Sequence, residues 1–245
     1  KKNLTDHSYD FVINCAGYVD HSPFFENGAA IINTHFNGIV NLINLIDKSK
    51  LKKFINIGSS DEYGANKSPQ NEQSRENPFS SYSLAKTAAS HFLQMMNQSE
   101  SFPGTTIRLF LVYGPGQARN RFIPQIINGC IEDHNFATSG GDQIRDFCFI
   151  DDAIDAIFLA LISKEASGKI LNIGSGEPIE IKSMINLLKH MIGTGKPQLG
   201  KIPYRSSENM SLYADINLAK NILQWSPKIS LEAGLRLTID SFLSN

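Results

Sequence analysis

The stretch Lys53-Phe54-Ile55-Asn56-Ile57-Gly58-Ser59-Ser60-Asp61-Glu62-Tyr63-Gly64 decides how the rest of the chain is read. Its first six residues are β-rich and largely apolar, too few for a stable helix, and the Gly-Ser-Ser that follows ends the run. They read as a buried strand. Upstream, Asp10-Phe11-Val12-Ile13-Asn14 is a similar run stopped by Cys15-Ala16-Gly17. Downstream, Thr105-Thr106-Ile107-Arg108-Leu109-Phe110 is a third, closed by Tyr113-Gly114-Pro115-Gly116. A helix is predicted over 28–47, with apolar residues on more than one face, so it must be covered on two sides. A second is predicted over about 82–97, capped by Ser80 or Ser81. Strand and helix alternating at this spacing require a parallel sheet with crossover helices, an α/β fold.

Beyond residue 115 the rhythm loosens. Helices are predicted at 121–132, 151–164, 181–193, 215–224 and 230–243, with short strands near 147–150 and 169–173. Asp151 and Asp152 read as caps of the helix they precede. This half is expected to form a smaller mixed α/β lobe over 116–245, with a segment near 145–175 returning to the sheet of residues 1–115.

Composition narrows the function classes. In 245 residues, 23 basic and 24 acidic side chains give a net charge of −1, which offers no basic face for nucleic acid. No apolar run approaches the ~18 residues of a membrane span. The three cysteines, Cys15, Cys130 and Cys148, form no CxxC pair, which argues against a disulfide framework or a metal site and fits a cytoplasmic protein.

The chemistry is carried by Tyr82-Ser83-Leu84-Ala85-Lys86. Four residues is about one helical turn, so phenol and ammonium share a face. Lowering a phenol pKa from about 10 to about 7 needs roughly 4 kcal/mol. A cation about 4 Å away supplies about that much at an effective dielectric near 20, so Lys86 is expected to acidify Tyr82. Tyr63 and Lys67 repeat the spacing, but with Gly64 between them and Pro69 just beyond they belong to a loop. Ser59 and Ser60 lie at the carboxyl end of a parallel strand, where such sheets bind ligands.

Six ordered motifs span nearly the whole chain: the strand with Ser59-Ser60 and Tyr63-Gly64; Tyr82 to Lys86; Arg108 to Gln117; Gly141 to Asp152; Asn172 to Glu177; and Leu223 to Leu235. Together they resemble the extended short-chain dehydrogenases, and more narrowly the NAD-dependent epimerase/dehydratase group that acts on nucleotide sugars. The resemblance implies a Rossmann-like sheet with a substrate lobe, NAD or NADP as cofactor, and a nucleoside-diphosphate sugar as substrate. It implies Ser59, Tyr82 and Lys86 as a catalytic triad, with Lys86 and Tyr82 also on the cofactor. It further implies Asn14, Cys15, Ala16 and Gly17 as a cofactor-lining turn, Ser60 and Asp61 beside the substrate, and Arg145 and Arg205 as clamps on its diphosphate. A homodimer paired through the helices at 28–47 and 82–97 is also implied.

Three departures qualify the match. No GxxGxxG phosphate loop occurs, and the chain begins Lys1-Lys2 near what would be the fourth strand, so the first strands are expected to be missing. His35 stands where the family usually has Asn. Ser60-Asp61 replaces the Asp-Glu pair of the dehydratases, which favours an epimerase or reductase acting at C4 of the hexose. A 4,6-dehydratase and a non-catalytic nucleotide-binding member are the alternatives.

Overall fold

The computed structural model describes residues 8–204 and 208–244. Four strands, β1 (Phe11–Asn14), β2 (Lys53–Ser59), β3 (Gly104–Leu109) and β7 (Ile170–Ile173), form one parallel sheet in the order β1-β2-β3-β7. Ile55 sits opposite Ile13 on one side and Thr105 on the other. Because neighbouring residues of a strand face opposite ways, Phe54 and Ile55 serve two different cores. Phe54 packs with Ile39, Ile43 and Leu93. Ile55 packs with Ile107, Leu171 and the alanines Ala153, Ala156 and Ala160. Each fully buried large apolar side chain contributes roughly 1.5–3 kcal/mol, which is why the sheet is covered on both faces.

The Phe54 face is covered by α1 (Ala29–Ile32), α2 (Gly38–Leu45) and α3 (Ser81–Glu100). The alanines on the other face belong to α5 (Ile150–Ile162), and α7 (Asn217–Leu223) lies beside them. Helix α3 starts with a reciprocal cap: Ser83 N donates to Ser80 Oγ (3.1 Å) and Ser80 N to Ser83 Oγ (3.0 Å). The helix expected over 28–47 is an unbroken helical run over 24–45, but its turns are not all α. Wide π-type turns at Phe24–Gly28 and Asn33–Asn37 flank α1, and the second contains the buried His35. A π turn inserts a residue and shifts the faces of the helix, which apolar periodicity does not register.

At Phe110 the chain passes from β3 to β4 (Leu111–Tyr113) and a second sheet. There β6 (Ile144–Phe149) pairs in parallel with β4 and with β10 (Ser211–Leu212), and antiparallel with β8 (Pro178–Glu180). A parallel pair, β5 (Asn135–Ala137) and β9 (Lys196–Gln198), stands apart. Helices α4 (Phe122–Ile131), α6 (Ile181–Ile192) and α8 (Leu231–Leu243) share a core built on Ile127, Phe147, Leu188 and Leu235. Strands of two or three residues leave no periodic trace, so β4, β5, β8, β9 and β10 had no counterpart in the sequence reading.

Asp151 and Asp152 do not cap α5. The helix starts one residue earlier, with Phe149 at the cap position. Asp152 is buried and accepts the amides of Lys228 (2.9 Å) and Ile229 (3.0 Å), tying the C-terminal segment to α5. Among the described residues no helix is long and apolar enough to cross a membrane. Cys15 is exposed and Cys130 and Cys148 are buried, all as free thiols.

Candidate functional site

Strand β2 delivers Ser59 to the sheet's carboxyl edge, and a 3₁₀ turn over Ser60–Tyr63 follows at once. Two local bonds hold this corner. Asp61 N donates to Ser59 Oγ (3.2 Å), and Ser59 N donates to Glu62 Oε1 (2.9 Å). Glu62 is fully buried, and its other oxygen accepts from Ser90 Oγ (2.7 Å) and Arg108 Nε (2.7 Å). Arg108, fully buried itself, also donates to Glu76 (2.5 Å) and lies 4.5 Å from the centre of the Tyr63 ring. A charge this deep persists only when paired and hydrogen-bonded. The Ser59 corner is therefore anchored to α3 and β3 through one carboxylate. Gly64 closes the turn at φ +57°, where a Cβ would fall 1.7 Å from Asn77 O.

A cavity of about 440 Å³ opens over this corner, lined by residues that follow β1, β2 and β3 and by the first turns of α3. Ser59, Ser60, Asp61, Tyr82 and Lys86 all line it. Tyr82 is 5% exposed and lines the cavity together with Ser59. Its pKa is not lowered as expected. Burial pushes the phenol up to about 12; Asp61 and Glu62 add to the rise, while the Ser59 hydroxyl and Arg121 oppose it. Lys86 Nζ lies 5.9 Å from the Tyr82 ring centre and donates to Ile57 O (2.8 Å). Burial moves the Lys86 ammonium downward, with Glu62 opposing.

On the β1 side, Cys15, Ala16 and Gly17 line the same cavity. Asn14 braces them from behind: it accepts Ala16 N (3.2 Å) and donates to Asn56 Oδ1 (2.9 Å). Gly17 has φ +133°, and a Cβ there would fall 2.4 Å from His35 Cε1. A bare backbone turn opposite a buried cation suits the nicotinamide-ribose end of a dinucleotide, which needs close backbone approach and hydrogen-bond donors.

The arginines fall differently. Arg145 is not among the cavity-lining residues; it pairs with Glu208 (2.5 Å) and donates to Ile144 O (2.9 Å). Arg205 lies outside the described residues. Arg121, which the motif reading passed over, does line the cavity.

The profile of the NAD dependent epimerase/dehydratase family matches residues 1–174. The chain belongs to that family. As an extended short-chain dehydrogenase it is 28% identical, over 96% of its length, to a UDP-glucuronate 4-epimerase of Thermodesulfobacterium geofontis, of which it covers 72%. It is 24% identical over 99% of its length to a dTDP-glucose 4,6-dehydratase of Xanthomonas campestris, covering 75% of that protein. Among solved structures it superposes, with TM-score 0.90 and 27% identity, on a Bacillus cereus UDP-glucuronic acid 4-epimerase in complex with UDP-glucuronic acid and NAD, covering 99% of this chain and 79% of that one.

Two histidines complete the epimerase/dehydratase cavity. His35 is 6% exposed, sets its ring edge-on to Tyr82 (5.0 Å, 89°), and leaves both ring nitrogens without a hydrogen bond. Burial first, and then Lys86, pushes its pKa down, favouring the neutral imidazole. His21 also meets the Tyr82 ring edge-on (5.4 Å, 80°) and faces Asp61 at 3.5 Å. His21 lies in an irregular loop, so no sequence period could have pointed to it; the proximity is purely tertiary.

Proposed function

We propose that this chain is an NAD(P)-dependent nucleotide-sugar epimerase or reductase acting at C4 of a nucleoside-diphosphate hexose. The observation that carries the reading is the cavity that Ser59, Tyr82 and Lys86 line together, with Lys86 one helical turn along α3 from Tyr82. Tyr82 moves the proton on the C4 oxygen and Ser59 shares that hydrogen bond. Because burial holds the phenol protonated at neutral pH, it is suited to donate to a carbonyl oxygen, as the reducing half of either reaction requires. Cys15–Gly17 and Lys86 would hold the nicotinamide-ribose end of the cofactor, which when bound exchanges a hydride with the sugar carbon.

For the diphosphate, Arg121 is the better-placed guanidinium, since Arg145 is engaged by Glu208; Arg205 remains part of the proposal. Guanidinium forks suit phosphate because they bind it in bidentate fashion. The relatives that act on or bind UDP-sugars support that substrate class. Residues 1–115 are proposed as the dinucleotide half and 116–245 mainly as the substrate lobe, in a cytoplasmic homodimer. Leu84 and Met95, eleven residues apart and so on one face of α3, are exposed and support that pairing.

The test is incubation of the protein with UDP-glucose or UDP-glucuronic acid and NAD, followed by proton NMR of the sugar. Appearance of the C4 epimer, abolished in Tyr82→Phe, is the expected result. Binding of the nucleotide sugar without any hydride transfer, with NAD or with NADPH and a 4-keto sugar, would leave the non-catalytic reading in its place.

A further inference from the structure

The cavity has two unlike walls. From β2, the turn after it and α3 come Ser59, Ser60, Asp61, Tyr82 and Lys86, all polar. The wall built by β4, α4 and β6 is apolar. Leu111 stands beside Phe147 in the parallel β4–β6 register, so both side chains leave the same face of that sheet. Phe147 carries the wall on to Phe122 at the start of α4, with ring centres 5.9 Å apart, and Ile123 follows. Tyr113 also lines this side but spends its hydroxyl on Leu231 O (3.2 Å). Leu111 is 37% exposed, which leaves it open to a ligand.

One polar atom interrupts the wall. Gln117 donates through Nε2 to Val112 O (2.8 Å) and leaves Oε1 buried with no donor. Turning the amide over would set two oxygens against each other, so the orientation is fixed. An orphaned acceptor attracts a hydroxyl and repels a carboxylate. Among the described lining residues the lasting cations are Lys86 and Arg121. Both already have tasks in the proposed reading, one at the cofactor and one at the diphosphate.

We propose that this wall selects the group on C5 of the hexose, taking the methyl of a nucleoside-diphosphate 6-deoxyhexose and rejecting the carboxylate of a uronic acid. With the C4 oxygen at Ser59 and Tyr82 and the diphosphate near Arg121, the sugar ring spans the cavity. Its C5 substituent then lies against Leu111 and Phe147, away from the Cys15–Gly17 turn. A methyl group there sheds water and leaves no polar atom unpaired. A hydroxymethyl group has one hydroxyl to place, and Gln117 Oε1 is the acceptor at hand, so it ranks second. A carboxylate would lose its water against apolar side chains with no cation of its own, and would meet the same oxygen. Leu111 is thus a specificity-determining residue, and the chain differs in its choice of hexose from the UDP-glucuronate 4-epimerase it is similar to. The inference deepens the proposed function and rests on it only for the placement of the sugar.

The experiment measures binding, not turnover. UDP, UDP-6-deoxyglucose, UDP-glucose and UDP-glucuronic acid are titrated into the full chain by calorimetry in buffer containing NAD. Each affinity is taken relative to that of UDP for the same protein, so a general loss of binding cancels. The expected order is 6-deoxyglucose, glucose, glucuronic acid, with the first about tenfold or more tighter than the last. Leu111→Lys supplies the missing cation and should reverse that order. Leu111→Thr, which keeps a strand-forming residue, should bring 6-deoxyglucose and glucose within about threefold of each other; it decides the matter if the lysine variant fails to fold. Glucuronic acid bound as tightly as 6-deoxyglucose by the unmodified protein, or an order that both variants leave in place, overturns the proposal. Equal affinity for all four nucleotides also overturns it, since the hexose would then not touch the wall. Binding of none of them overturns it together with the reading beneath it. Otherwise the two fail separately: the preference without hydride transfer removes the C4 reaction and keeps the substrate class, and hydride transfer without the preference does the reverse.

Discussion

At the amino end of β2, Lys53 is 2% exposed, yet its ammonium donates to Ser163 O (2.7 Å) and Ser167 Oγ (2.6 Å), and nearby Thr105 Oγ1 donates to Ala166 O (2.6 Å). At the carboxyl end, 20 Å or so along the same strand by its ~3.3 Å rise per residue, the polar groups are arranged in the opposite spirit. His35 keeps both ring nitrogens unpartnered, Gln117 Oε1 is buried without a donor, and a cavity stands open beside them. Buried polar atoms are nearly always satisfied, so clustered exceptions mark a place that folding alone does not explain. The closed end secures the strand; the open end retains hydrogen-bonding capacity that a ligand could use.

The largest effect should come from Tyr82→Phe. If the open end is the reacting end, turnover of the nucleotide sugar falls by roughly 10²–10⁴-fold while the melting temperature hardly moves. Normal turnover in this variant would remove the functional half of the contrast. Next is Arg108→Met, which leaves Glu62 buried without its cation and should cost about 3–5 kcal/mol in urea denaturation. The double variant Glu62→Leu/Arg108→Met should recover much of that stability while losing the grip on Ser59, so stability and turnover would part company.

Gly64→Ala comes third. The strained φ and the clash with Asn77 predict a loss of roughly 1–3 kcal/mol, accompanied by weaker turnover because the Ser59 turn must shift. The smallest effect sharpens the closed end. Burial lowers the Lys53 pKa from its ordinary 10.5 to about 8, so between those values the unfolded chain binds more protons than the folded one. Stability should therefore gain from this residue as pH rises from 8 towards 10.5, and Lys53→Met should flatten that part of the urea-midpoint profile. An identical rise in both proteins would mean that Lys53 is solvated.

Much of this contrast can be read from the chain without coordinates. The strand at 53–59 and the α3 cap at Ser80 follow from local pattern and capping chemistry, and the Tyr82–Lys86 spacing places both side chains in one cavity. What sequence pattern could not convey was tertiary. The π turns that flank α1 depend on how the helix meets the sheet, and His21 reaches Asp61 only because two loops converge. Charge arithmetic on Tyr82 and Lys86 alone missed the burial of both groups and the nearby Asp61 and Glu62, and so gave the wrong direction for the phenol. Arg145 was singled out from its motif, and its ion pair with Glu208, 63 residues later, left no trace in the sequence pattern.

Glu62 and Arg108 carry an implication for how such a site can diverge. Either one replaced alone strands its neighbour's charge in the interior, so single-step lineages through this pair cross a fitness valley. Drift would be steered away from the foundation and towards the rim, where Asp61, His21 and Arg121 can be exchanged one at a time. New substrate preferences would then be acquired at the mouth of the site, over a base that evolution finds hard to revise.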